Sequence, residues 1–110
     1  MIRVLIADDE MLVRIGLKTI IPWEGNGFEL IGEAANGREA LNILKRQPCD
    51  IVLTDIRMPE MDGLELIEEI HRLSPRTKCL ILSNHDEFEY VQRALRLGAA
   101  DYLLKLTMEP

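Results

Sequence analysis

Ile51-Val52-Leu53-Thr54-Asp55-Ile56-Arg57-Met58-Pro59-Glu60-Met61-Asp62-Gly63 is the stretch whose reading decides the fold. An apolar run delivers one carboxylate, Asp55, at the point where the run stops. A Pro-containing turn follows, and Asp62 then opens a helix with Glu65 three residues on, the capping-box spacing. A short apolar run bounded by turn signals suits a strand buried on both faces. An acid at its last residue lies on the rim of a sheet, where open α/β folds place their chemistry.

Working outward from that strand, Asn36-Gly37-Arg38-Glu39 predicts a helix capped by Asn36, with Glu39 in capping-box position, that runs to about Arg46 and stops before Pro48. Before it, Phe28 to Ala34 alternates in the manner of an edge strand, and Pro22-Trp23-Glu24-Gly25-Asn26-Gly27 is a loop rich in breakers. The N-terminal run Ile2 to Ala7 is a central strand ending at Asp8-Asp9. The helix after Glu10 carries Leu12, Ile15, Thr19 and Ile20 on one face and Arg14 and Lys18 on another. Gly16 inside it costs roughly 1 kcal/mol relative to Ala, which close packing would explain.

Downstream, a helix over Gly63 to Leu73 turns Leu64, Ile67 and Ile70 inward and ends at Ser74-Pro75. Cys79 to Leu82 is a further apolar run closed by Ser83. Asp86 and Glu89 predict a third capping box, opening a helix to about Leu97 with Gly98 as its stop. Asp101 to Lys105 is the last strand. Strict alternation of strand and helix predicts a doubly wound five-stranded parallel α/β sheet with right-handed crossovers. No helix is predicted after the fifth strand. Such apolar strands need cover on both faces, so the expectation is one domain over 1–110, cut before its last helix, in a protein that continues.

Nineteen acidic against 13 basic residues give a net charge of -6, which argues against this segment gripping a nucleic-acid backbone. No run has the length of a membrane span and no signal peptide opens the chain. Cys49 and Cys79 fit no metal-ligand spacing, so reduced thiols in a cytoplasmic protein are expected.

In a parallel sheet all strand C-termini share one edge. That edge collects Asp8 and Asp9, then Asp55, then Ser83, then Lys105. At an effective dielectric of about 20, two carboxylates ~4 Å apart repel by about 4 kcal/mol. Such a cluster should have raised pKa values unless a cation neutralises it. A hard divalent ion with oxygen ligands fits; Mg2+ takes one or two carboxylates with waters and a phosphate. Lys105 and Ser83 suit phosphoryl oxygens. Alone, each acid reads equally well as a solvated loop acid or helix cap, and Ser83 and Lys105 read better as a turn residue and a surface lysine. Their convergence on one edge points to phosphoryl transfer onto Asp55.

At Leu5-Ile6-Ala7-Asp8-Asp9-Glu10, Thr54 to Gly63, Leu82-Ser83 and Asp101-Tyr102-Leu103-Leu104-Lys105 the chain resembles the receiver domain of two-component response regulators, over essentially its whole length. The resemblance implies a flavodoxin-like sheet of order 2-1-3-4-5. It implies that Asp55 accepts a phosphoryl group from a histidine kinase phosphohistidine. Asp8 and Asp9 would organise Mg2+, with Asp9, Asp55 and the backbone carbonyl of Arg57 as direct ligands. Ser83 would bond the phosphoryl group and move toward it, Tyr102 would swing inward behind it, and Lys105 would pair with it. That movement would alter the face of the fourth helix and fifth strand, the family's usual output face, to control an attached effector.

Some positions depart from the family pattern. Leu106 follows Lys105 where the family has a cis proline, Asn84 is larger than the usual residue, and the terminal helix of the dimerising face is lacking. The Pro22-Trp23 loop resembles receivers joined to AraC-type helix-turn-helix effectors. His71 and His85 do not read as phosphodonors, although His85 could affect water access. Of the rival readings, a haloacid-dehalogenase-like phosphatase needs an acid where Arg57 stands. A receiver-like interaction module that is not phosphorylated is the other. The domain itself is read as a switch, not an enzyme, beyond its own phosphotransfer and autodephosphorylation.

Overall fold

The computed structural model describes residues 1–84 and 86–105. Among them the apolar runs become strands β1 (Ile2–Ala7), β2 (Phe28–Ala34), β3 (Ile51–Asp55), β4 (Lys78–Ser83) and β5 (Asp101–Leu104). The stretches between them become helices α1 (Met11–Ile20), α2 (Gly37–Arg46), α3 (Gly63–Leu73) and α4 (Phe88–Arg96). All neighbours pair in parallel, in the order β2-β1-β3-β4-β5. This is the doubly wound parallel sheet expected from the alternation, in the flavodoxin-like order that the resemblance implies.

Side chains on a strand alternate between the two faces, and the core divides accordingly. Leu5, Val52 and Ile81 meet α2, α3 and α4 through Leu41, Leu66, Ile67, Ile70, Val91 and Ala94. Their neighbours Ile6, Leu53 and Leu82 meet α1 through Leu17, with Val13 and Trp23 packed alongside. One face thus carries three helices. Among the described residues the other carries α1 alone.

The caps follow local chemistry. Asp62 and Glu65 form the reciprocal capping box of α3. Asn36 caps α2 by accepting the Glu39 N–H at 2.9 Å, but the Glu39 carboxylate reaches back to the Ala35 N–H instead of closing a box. Gly37 presses on the β3–α3 connection: its N–H donates to Met61 O at 2.9 Å, and a Cβ there would fall on that same carbonyl.

Three further expectations are corrected. The Asp86–Glu89 capping box does not form; Glu87 occupies the N-cap position of α4 and makes no side-chain bond to the helix. Its carboxylate is turned back into the loop, where it accepts the Asn84 N–H at 2.7 Å. On α1 the seam against the sheet is Leu17, not the Leu12, Ile15, Thr19, Ile20 face, whose apolar members are 82%, 45% and 57% exposed for Leu12, Ile15 and Ile20. Both faces of α1 are apolar, so spacing alone could not choose between them. Gly16 is not a close-packing site, since a Cβ there would meet nothing within 4 Å. The expectations for His85 and for the Lys105–Leu106 bond lie outside the described residues.

Candidate functional site at the strand C-termini

The period of two along a strand explains why the acids converge. Asp55 continues the row of Leu53, and Asp8 continues the row of Ile6, so both project from the α1 side of the sheet at adjacent strand ends. Both carboxylates are buried, Asp8 completely. Lys105 lies just past β5, and its ammonium stands 3.1 Å from Asp8 Oδ2, 3.3 Å from Asp55 Oδ2 and 3.3 Å from Glu10 Oε1. The remaining oxygens are held by backbone: Glu10 N–H donates to Asp8 Oδ1 at 2.9 Å and Ile56 N–H to Asp55 Oδ1 at 2.8 Å. Asp9 is exposed beside them.

Burial dominates the electrostatics. Asp55 is pushed up to about 7, first by loss of water and then by repulsion from Asp8, against the pull of Lys105 and the Ile56 N–H. Asp8 is raised for the same first reason, opposed by the Glu10 N–H and Lys105. For Lys105 burial disfavours the charged form, yet attraction to Asp55 and Asp8 outweighs it and its pKa is raised. The pocket therefore holds more negative charge than one ammonium relieves.

Four carboxylates at this edge are close enough to share a metal ion. Asp8, Asp9, Glu10 and Asp55 each offer a ligand oxygen, all within 4.8 Å of one another. An all-oxygen anionic set suits a hard divalent cation such as Mg2+. Ser83 lies at the end of β4, beside the strand that ends in Asp55, and its hydroxyl is buried with no hydrogen-bond partner among the described residues. A buried donor left over in this way fits an incoming acceptor oxygen.

The turn that presents Asp55 is tightly built. Gly63 N–H donates to Ile56 O at 2.7 Å. A Cβ on Gly63 would collide with the Asp55 carbonyl oxygen and lie 2.9 Å from the Ile56 Cα. Glu60 takes φ 67°, a left-handed conformation rarely adopted by residues other than glycine. A cleft of about 230 Å³ opens over the acceptor, lined by Asp9, Glu10, Asp55, Arg57, Asn84, Asp86, Glu87 and Lys105.

The fold thus brings Asp8, Asp9, Asp55, Ser83 and Lys105 to one edge. Tyr102 stands away from it, 44% exposed on β5. The sequence reading missed Glu10, which joins the Lys105 cluster, and Arg14, which donates to Asp8 O at 2.7 Å and to Glu33 at 2.8 Å. The acidic run Asp8-Asp9-Glu10 was signal enough for Glu10. Arg14 had none, because its partners come from β1 and β2 at once.

A family model described as the response regulator receiver domain matches residues 4–109. The chain belongs to the response regulator receiver family. This receiver domain is 47% identical over 105 residues to the uncharacterized transcriptional regulatory protein YesN of Bacillus subtilis, covering 96% of this chain and 28% of YesN. It is 42% identical over 105 residues to the transcriptional regulatory protein HptR of Staphylococcus aureus, covering 96% of this chain and 41% of HptR. The chain therefore spans less than half the length of these relatives. Among solved structures it resembles the receiver domain of AraT from Geobacillus stearothermophilus, with TM-score 0.88, 37% identity and coverage of 96% and 85% of the two chains. It also resembles the CheX–CheY–BeF3–Mg2+ complex of Borrelia burgdorferi, with TM-score 0.83, 30% identity and coverage of 99% and 78%. The receiver domain is a signalling domain of two-component systems, with transcriptional regulators as relatives, and neither of these two relatives is named as an enzyme. No helix among the described residues is long and apolar enough to cross a membrane.

Proposed function

We propose that Asp55 is the phosphoacceptor of a Mg2+-dependent signalling switch. The observation that carries this reading is a buried carboxylate at a strand end, with Lys105 3.3 Å away and three further acids within ligand reach. An Asp55 oxygen attacks the phosphorus of a sensor kinase phosphohistidine; the P–N bond breaks and its electron pair stays on the imidazole nitrogen. The acceptor must be ionised to attack, and its raised pKa means that metal-free protein near neutral pH holds a mixture of both forms. Asp8, Asp9, Asp55 and the Arg57 carbonyl would hold Mg2+, which supplies positive charge to the acceptor and to the transferring phosphoryl oxygens.

Lys105 is already desolvated and aimed at Asp55, so a small shift lets it pair with the phosphoryl group added there. The Ser83 hydroxyl supplies a hydrogen bond. A phosphoryl group brings more charge and more acceptor oxygens than the carboxylate it replaces. A conformer with Ser83 drawn toward it therefore gains binding free energy over one without, and the population shifts. Tyr102, now outward, would move in behind Ser83 and change the α4–β5 face.

Fusion of the receiver to a DNA-binding effector of the helix-turn-helix kind, in a cytoplasmic protein, fits the greater length of YesN and HptR and their description as transcriptional regulators. A further helix, or a second copy in a homodimer, covering the apolar side of α1 would account for the exposed Leu12 and Ile15 and for Leu103 beside buried Leu82. The test is incubation with acetyl phosphate and Mg2+ followed by intact-mass measurement. One hydroxylamine-sensitive phosphoryl group should appear. Labelling of Asp55→Asn at the same site, or indifference to Mg2+ removal, would sink the reading.

A further inference from the structure

Resting on the assignment of Asp55 as acceptor, we infer that Glu87 is a positioning residue whose carboxylate clasps Arg57 away from the phosphoryl position. Arg57 is two residues beyond the acceptor and lines the same cleft, so its guanidinium is a second cation within reach of an added phosphoryl group. It is not directed there. Its Nε stands 3.5 Å from Glu87 Oε2, and its guanidinium carbon lies 4.7 Å from the centre of the Tyr90 ring. Both partners belong to α4 or its cap.

The Glu87 end of the clasp is well fixed. Its side chain is only 6% exposed against 66% for that of Arg57, and its other oxygen accepts the Asn84 N–H at 2.7 Å. Asn84 directly follows Ser83. One buried carboxylate therefore ties the segment after Ser83 to a residue within the acceptor turn. Because Arg57 is the exposed partner, it is the group that a phosphoryl dianion can recruit. Recruitment removes the charge partner of Glu87 and loosens its hold on the β4–α4 connection, the segment that must move if Ser83 is to approach Asp55. The clasp opposes the switch before phosphorylation and opens with it.

Replacing Glu87 with Gln keeps an oxygen for the Asn84 N–H and the shape of the side chain, while removing the charge that holds Arg57. Glu87→Gln should then tighten beryllofluoride binding in Mg2+, and speed labelling by acetyl phosphate, by about two- to fivefold, the range a partly exposed ion pair can supply. Arg57→Ala, made at an exposed side chain, should weaken beryllofluoride binding. In that background Glu87→Gln should have no further effect. Equal affinities for wild type and Glu87→Gln, or the same gain with and without Arg57, overturn the clasp, since the first makes Glu87 structural only and the second makes it a general negative charge. An unchanged affinity in Arg57→Ala overturns it as well, and that variant reads the pair even if Glu87→Gln does not fold. Wild-type protein that takes no phosphoryl group at all overturns the acceptor assignment and the clasp with it. Labelled wild type with a flat mutant cycle overturns the clasp alone.

Discussion

Asp55→Asn should stabilise the metal-free protein at pH 8. The folded state holds the Asp55 proton up to a pKa of about 7, whereas the ordinary value is 3.8. Because the folded pKa is raised, the native state binds more protons than the unfolded chain between those values. The contribution of Asp55 to stability is therefore greatest below about pH 3.8 and declines until the pH passes about 7. At 1.36 kcal/mol for each pH unit of separation, the ionised carboxylate costs the fold at most about 4 kcal/mol at pH 8, about 2 at pH 5 and almost nothing at pH 3. Asparagine removes that dependence. It retains an oxygen for the Ile56 N–H, but sets an amide that can donate beside the Lys105 ammonium, so part of the gain is lost.

A net gain of about 1–3 kcal/mol at pH 8 remains, which for a domain of this size raises Tm by roughly 4–12 °C. The assay is thermal unfolding by circular dichroism in EDTA, for both proteins, at pH 3.5, 5 and 8. The difference should grow with pH and level off above neutrality. In saturating Mg2+ it should shrink or reverse, because an ion that binds only the folded wild type stabilises it by mass action. Equal pH dependence in the two proteins would mean that burial does not hold the Asp55 proton, and the electrostatic account of the site would fail.

Lys105→Gln takes the counter-charge from two buried acids, so it should cost about 3–5 kcal/mol at pH 8. The loss should be smaller at pH 4, well below the Asp55 pKa of about 7; denaturant midpoints at the two pH values check this. Gly63→Ala puts a Cβ into the Asp55 carbonyl. It should destabilise by about 1–3 kcal/mol and slow acetyl phosphate labelling, read by urea unfolding and intact mass. Cys79 is buried, with its thiol pushed up to about 11 by desolvation and by neighbouring Cys49. It should resist a maleimide in native protein at pH 7.5 and react fully once unfolded, which peptide mapping would resolve.

The edge of the sheet was legible because it depends on strand ends alone. Where each apolar run stops is written in the sequence, and parallel pairing brings those stops together. Asp8, Asp9, Asp55, Ser83 and Lys105 follow without knowledge of any loop. The region around α4 was not legible in that way. Asp86 and Glu89 have the spacing of a capping box, but Glu87 stands between them with two partners from elsewhere: the Asn84 N–H and the Arg57 side chain. Spacing counts only the contacts a helix makes with itself. A carboxylate with a long-range cation available can leave the helix end uncapped and still be satisfied.

Helix α1 shows the other limit of periodicity. Its apolar residues fall on two faces, of which the sequence reading named one; the sheet takes the other, with Leu17 and Val13, and leaves Leu12, Ile15 and Ile20 in solvent. Fully burying one such side chain is worth about 1.5–3 kcal/mol, so a second apolar face is a standing source of binding free energy for whatever covers it. Leu103, on the same side of the sheet as buried Leu82, extends that surface onto β5. The acceptor site and this surface share an element, since β5 leads directly into Lys105. A ligand that repositions Lys105 at the acceptor must therefore act on the strand that carries Leu103. Any element packed against Leu103 in turn biases the position of Lys105. By linkage the two effects are equal in free energy. Covering the α1–β5 surface should change phosphoryl affinity at Asp55 by the same factor by which phosphorylation changes affinity for the cover.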